Sequence, residues 1–264
     1  MTLRERLVRA LWRGVSGLAP PEGHRPPPPP PWSARVRTAR IAGILAPRFA
    51  FELLSDRLRP VGSTTTEEGL AAVRTFSLDT LRRLRVELEI VGAERVPREG
   101  GVLFMWKQES HLDHLLLGAA IPRPFASLYN NAVAAAPLYG EWFRRSGHFH
   151  VDRSDEAQWR RSIARAAEAL RGGRCILVSP EGTRSWDGKL LPMKRGAFML
   201  ARQAERPIVC VTLAGAHACL PRGSATVRPG KVTCVLSFPI PVRADDTTLE
   251  ARVVETFEAA SQTH

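Results

Sequence analysis

The stretch Arg174-Cys175-Ile176-Leu177-Val178-Ser179-Pro180-Glu181-Gly182-Thr183-Arg184-Ser185 decides the fold of this chain. The segment Cys175 to Val178 is apolar at every position, which is what a strand covered on both faces requires. The polar loop that follows is where ligand residues collect in an open α/β sheet. Before the strand, Ser154 to Leu170 reads as a helix with Trp159, Ile163, Ala167 and Leu170 on one face, stopped by Gly172 and Gly173. After the loop come a helix over Arg195 to Glu205, ended by Pro207, a strand over Ile208 to Leu213, a strand over Val232 to Phe238 and a closing helix over Leu249 to Ala260. Upstream, Val86 to Val91 alternates apolar and acidic residues as a half-buried strand does, Gly101 to Trp106 suits a buried strand, and Leu115 to Ala120 is helix-like. Strands separated by helix-length segments indicate an α/β fold with a mixed, mainly parallel central sheet flanked by helices.

The remainder is organised differently. Residues 1–19 place Leu3, Leu7, Val8, Leu11, Trp12, Val15 and Leu18 at helical spacing, with Arg4, Arg6, Arg9 and Arg13 at other positions, the pattern of an amphipathic basic helix. Such a helix can lie in a membrane interface or dock on its own protein. A proline-rich linker occupies 20–31, including six consecutive prolines from Pro26 to Pro31, which favour an extended spacer. A helical region over 32–85 follows, with a helix from Trp32 to Asp56 that Pro47 is expected to interrupt and another over Glu67 to Arg85. The α/β domain then spans 86–264.

Composition bounds the function. The 264 residues carry 38 Lys+Arg against 26 Asp+Glu, a formal net charge of +12, with 44% hydrophobic residues, enough to bury a core and to exclude disorder as the main state. The first 48 residues hold nine arginines against Glu5 and Glu22, so a net +7 sits there. No apolar run approaches the roughly 20 residues that span a bilayer, and the N-terminus lacks the continuous apolar core of a secretory signal. Cys175, Cys210, Cys219 and Cys234 form no close pair of the kind that builds a zinc or redox motif, so buried reduced thiols are expected.

Two segments carry chemistry. Trp106-Lys107-Gln108-Glu109-Ser110-His111-Leu112-Asp113-His114 follows one strand, and the Glu181-Gly182-Thr183-Arg184 turn follows another. Thr183 and Arg184 can donate charge-assisted hydrogen bonds to an anionic oxygen. With these residues the sequence resembles the glycerol-phosphate and lysophosphatidic acid acyltransferase family over roughly residues 86 to 243. Pro180-Glu181-Gly182-Thr183-Arg184-Ser185 is similar to that family's phosphate-site motif, and Gly147-His148-Phe149-His150-Val151-Asp152-Arg153 to its second block. Pro137 to Gly140 and Trp142 to Arg145 match the helix before that block. Met193 to Ala197 with Pro207 to Val211 matches the last block, Cys210 standing where a proline is usual.

The family's catalytic His-x-x-x-x-Asp motif is altered. Alignment on Ser110 and Asp113 puts Gln108 at the histidine position, and glutamine accepts no proton near neutral pH. His111, three residues on, would share a face with Gln108 if a helix starts here, whereas His114 would point elsewhere. His111 is the preferred substitute base, with Asp113 orienting it. A fold-retaining protein with little catalysis, or an active group elsewhere, stays open. His148 and His150 read as packed or exposed strand residues, and Trp142, Phe143 and Phe149 as core or acyl-chain contacts. Lys107 faces phosphate, faces the donor, or is an ordinary exposed lysine. Glu181 shapes its turn or pairs with a cation and is expected to stay ionised beside Arg184.

The resemblance implies transfer of a fatty acyl group from acyl-CoA or acyl carrier protein to a lysophospholipid hydroxyl, that of 1-acyl-glycerol-3-phosphate. Arg153, Glu181, Gly182, Thr183 and Arg184 would form the phosphate site. No metal and no bound cofactor is implied. The expected location is the cytoplasmic face of a membrane, held peripherally through the basic N-terminal helix. The alternatives are a catalytically weak lipid-binding protein of the same fold and, with no zinc-finger, recognition-helix or RNA-binding signature in its favour, a nucleic-acid binder.

Overall fold

A computed structural model describes residues 30–55, 66–135 and 139–263. The proposed helix over 1–19 and all but the last two prolines of the linker lie outside the described residues. The chain enters through helix α1 (Trp32–Ser55) and helix α2 (Glu67–Leu84). Helix α1 runs through Pro47, which is exposed and whose missing N–H faces the small Gly43 one turn back, so the expected interruption does not occur. Thr66 caps α2 by accepting the Gly69 amide through its hydroxyl.

The body alternates strand and helix: β1 (Val86–Val91), β2 (Leu103–Trp106), α3 (Asp113–Ala120), β3 (Phe125–Tyr129), the short helices α4 (Asn131–Ala134) and α5 (Tyr139–Arg145), β4 (Phe149–His150), α6 (Glu156–Arg171), β5 (Cys175–Val178), α7 (Arg195–Ala204), β6 (Ile208–Ala214), α8 (Ala216–Cys219), β7 (Gly230–Leu236) and α9 (Leu249–Thr263). The seven strands form one sheet in the order β1-β7-β6-β2-β5-β3-β4. Every pairing is parallel except β6 with β7. The expected α/β class with a mixed, mainly parallel sheet is what forms.

The central strands are buried on both faces, so their alternate side chains feed two cores. Phe104, Trp106, Cys175, Leu177, Val209 and Val211 join α2 and α3 on one face. Leu103, Met105, Ile176, Val178, Ile208 and Cys210 join α6, α7 and α9 on the other. A fully buried side chain of this size contributes about 1.5–3 kcal/mol. Gly101 permits the close approach of β2 to the end of α6, because a Cβ there would collide with the Leu170 carbonyl. The four cysteines are buried and unpaired. No described helix is long and apolar enough to cross a membrane.

Candidate active site

The C-terminal ends of the parallel strands β2, β3, β4 and β5 open on one edge of the sheet, and the segments that leave them enclose a cleft of about 570 Å³. Its walls are contributed by Trp106 at the end of β2 and Gln108 after it, His114 on α3, Tyr129 at the end of β3 and Asn130 after it, Arg153 after β4, Trp159 and Ile163 on α6, Ser179, Pro180 and Gly182 after β5, and Lys194 to Ala197 at the start of α7. The rule that ligands bind outside the carboxyl ends of strands thus places the site.

Between β2 and α3 the chain makes a tight turn fixed by Asp113. Its carboxylate accepts the Glu109 amide at 2.9 Å and the Ser110 amide at 2.9 Å. Ser110 accepts the Leu112 amide at its hydroxyl and donates to the Leu220 carbonyl. Asp113 is fully buried, and burial raises its pKa to about 8 against the lowering effect of the two amides. Helix α3 therefore begins at Asp113 and not near Gln108. That start defeats the premise that put Gln108 and His111 on one helical face. His111 is half-buried, with the charges of Arg184, His114 and Arg222 around it, and burial lowers its pKa to about 3. The residues lining the cleft include Gln108 and His114 but not His111 or Asp113.

The loop after β5 is braced from within. Glu181 is fully buried, accepting the Gln108 amide at 2.7 Å and the Leu191 amide at 2.7 Å. It ties the β2 turn to the segment entering α7. Burial pushes its pKa up to about 7, with Lys107 and Glu109, not Arg184, as the charges acting on it. Gly182 has φ +66°, and a Cβ there would lie 2.8 Å from Nη1 of Arg153. Glycine lets the Arg153 guanidinium lie across the turn. Arg184 is buried, its pKa lowered to about 10 chiefly by burial, and its Nη1 has no hydrogen-bond partner; it faces Arg222 and Asp113. Of the five residues expected at the phosphate, Arg153 and Gly182 line the cleft, while Glu181, Thr183 and Arg184 do not. Lys107 is buried and donates to Glu109 and to the Gly188 carbonyl, each at 2.6 Å, so it closes the turn from below.

His148 accepts the Ser127 amide through Nδ1 at 2.9 Å, which joins β3 to the segment entering β4 and requires a neutral ring; burial lowers its pKa to about 3. His150 meets Asn131 at 2.7 Å. Gln158 accepts the Asp152 amide and donates to the His150 carbonyl, holding the 150–153 segment against α6. Asp155 caps α6.

Lys194 and Arg195 lie inside the Met193 to Ala197 stretch that resembles the family's last block, but the sequence reading gives them no site role. They stand at the start of α7, a helix with no acidic residue in its first turn. Cations there oppose the helix dipole, and that cost is the signal in the sequence for a ligand-directed role. Arg160 pairs with Glu156 at 2.6 Å. Arg153, Lys194 and Arg195 form no ion pair among the described residues, so the cleft combines unneutralised cations with apolar and aromatic walls. Among the described residues no group of three or more His, Cys, Asp or Glu side chains is arranged to hold a metal ion.

Fold and site together define an α/β domain with a strand-end cleft whose walls combine cationic, aromatic and aliphatic side chains. Residues 87–214 match the family model described as Acyltransferase. The chain is similar to a 1-acyl-sn-glycerol-3-phosphate acyltransferase of Limnanthes alba, at 30% identity over 166 residues, covering 62% of this chain and 58% of that protein. A chloroplastic 1-acyl-sn-glycerol-3-phosphate acyltransferase of Brassica napus, BAT2, is 26% identical over 239 residues, covering 86% of this chain and 67% of its own. This chain spans roughly half of the first two curated relatives, 58% and 46% of their lengths. The crystal structure of the 1-acyl-sn-glycerophosphate acyltransferase PlsC from Thermotoga maritima shares the fold, with a TM-score of 0.71 over 87% of this chain and 94% of that one at 21% identity.

Proposed function

We propose that this protein moves a fatty acyl group from a thioester donor, acyl-CoA or acyl carrier protein, to the free hydroxyl of 1-acyl-glycerol-3-phosphate. The observation that carries the reading is the cleft itself. Its aromatic and aliphatic walls suit an acyl chain, and Arg153, Lys194 and Arg195 supply three unneutralised charges for a phosphate. The similar proteins of Limnanthes alba and Brassica napus are named for that acceptor, which supports the reading. Gln108 holds the acceptor hydroxyl by hydrogen bonding and leaves proton removal to another group.

The lipid acceptor requires contact with a membrane. In α1, Trp32 is 73% exposed and Ile44 57% exposed. Arg37, Arg40, Arg83 and Arg85 line the same surface groove. We assign this face, with the basic segment 1–19, to peripheral attachment at the anionic cytoplasmic leaflet, where each cation contributes about 1 kcal/mol.

The test follows thiol release from acyl-CoA and from acyl carrier protein, with and without 1-acyl-glycerol-3-phosphate. Acceptor-dependent release is expected. Binding of the lysolipid with no release from either donor selects the second reading, a lipid-binding protein of the same fold, which Gln108 favours.

A further inference from the structure

We propose that His114 is the general base of this site, taking the proton of the acceptor hydroxyl where Gln108 cannot. The assignment rests on the acyl-transfer reading above.

The described chain holds five histidines, and their surroundings separate them. His148 has Nδ1 committed to the Ser127 amide and is enclosed between strands. His150 is engaged with Asn131 and does not line the cleft. His217 packs over Gly188 on the far side of the β5 loop. His111 lies beside Arg184 and Arg222, outside the cleft lining. His114 alone among them lines the cleft, with Gln108 as its neighbour on the wall. It is exposed to solvent, although α3 is otherwise mostly buried, because the first turn of α3 emerges at the strand-end edge of the sheet. Its ring stands edge-on to Trp106 at 6.0 Å, and no hydrogen bond to the described residues occupies its nitrogens. A general base must reach the proton it abstracts, and this is the imidazole that a cleft-bound hydroxyl can meet.

The charges around it support the neutral form. Arg184, from the β5 loop, lies on one side; His111, on the same turn, and His148, entering β4, face it as well. Arg153 and Glu156 stand further along the wall. Crowding of the ring by the protein around it, which desolvates it although its edge meets solvent at the cleft, and then Arg184 lower the His114 pKa below its ordinary 6.5, which favours the neutral ring at neutral pH. In the step, the acceptor O–H bond breaks and its proton passes to an imidazole nitrogen of His114. The oxygen forms a bond to the thioester carbonyl carbon, the C–S bond breaks, and the departing thiolate takes the proton back from the imidazolium.

The experiment measures acceptor-dependent thiol release against pH for the full chain and for His114→Ala, His114→Gln, His111→Ala and Gln108→His, with urea midpoints to confirm folding. The general-base role predicts a loss of about 100-fold or more in kcat for both His114 variants, with KM for the lysolipid changed little. The parent rate should be level through neutral pH and fall only below pH 6.5, and the His114 variants should lack that fall. His114→Gln fills the same space, so its inactivity cannot come from a collapsed wall. A kcat within threefold of the parent in His114→Ala overturns the assignment, as does loss of the acid fall in His111→Ala alone. A silent parent revived by Gln108→His overturns it too, while leaving the acyl-transfer fold standing. Silence of every variant, with no lysolipid bound, removes the acyl-transfer reading itself.

Discussion

Replacing Glu181 with alanine tests how the cleft is held open. The carboxylate is fully buried and accepts two backbone amides, from Gln108 and Leu191, each at 2.7 Å. Leaving a buried N–H unsatisfied costs about 2 kcal/mol, so the deletion costs about 4 kcal/mol from that source. Against it stands the desolvation of the carboxylate, which raises its pKa from 4.5 to about 7, equivalent to about 3 kcal/mol once the group is ionised. The sign follows from linkage: a folded pKa above the unfolded one means that the folded state binds the extra proton between about pH 4.5 and 7. The stability from Glu181 is then fully present below pH 4.5 and lost as pH rises through 7. Urea unfolding should show Glu181→Ala destabilised by about 4 kcal/mol near pH 5 and by only about 1 kcal/mol at pH 8. The freed Gln108 turn should also shift the cleft wall and lower thiol release by about 100-fold. A cost under about 1 kcal/mol at pH 5, or the same cost at both pH values, would refute the argument.

Gly182→Ala forces a side chain into φ +66° and against the Arg153 guanidinium. It should cost about 1–2 kcal/mol in urea unfolding and raise KM for the lysolipid more than it lowers kcat. Arg153→Ala should raise KM for 1-acyl-glycerol-3-phosphate about 10- to 100-fold while leaving binding of a phosphate-free monoacylglycerol little changed, read by titration with both lipids. His148→Phe removes the acceptor of the Ser127 amide and should cost about 1–3 kcal/mol at pH 7. Because the folded pKa of His148 is about 3, below its ordinary 6.5, the parent loses stability as pH falls through that interval, and the variant should show a shallower acid slope in thermal unfolding. Burial pushes the Cys210 and Cys234 thiols up to about 12, so iodoacetamide should leave both untouched in the native protein and modify them at the rate of unfolding.

The main strands were legible because their patterns are local. Cys175 to Val178 and Val86 to Val91 form strands with the bounds that their apolar and alternating runs indicate. Strand β3 was not, and β4 was indicated only by the reading of His148 and His150 as strand residues. Phe125 to Tyr129 follows two nearby prolines and carries no clean alternation, and β4 is two residues long, so it is a strand only because Leu128 and Tyr129 pair with Phe149 and His150. The motif positions Gln108, Arg153 and Gly182 do line the cleft. The helix-face argument for His111 depended on where α3 starts, and Asp113 fixes that start by reaching back to two amides. The sequence reading keeps Glu181 ionised beside Arg184; the structure buries it against two backbone amides, and burial outweighs the lowering by those amides and by Lys107.

The sequence by itself determined the α/β class, the strand-end loops that carry chemistry, the family resemblance and the absence of a histidine at position 108. Each of these is written in spacing over a few residues, through the period of the buried face or the identity of a turn residue. Only the tertiary structure decided which polar groups converge. It brought Glu181 under Gln108, which lies 73 residues away, turned Lys107 into an internal brace, added Lys194 and Arg195 to the cleft and placed His114 on its wall. The physical reason is that convergence depends on strand order and on the start of one helix. Both are set by the packing of two shared cores, which no single segment encodes.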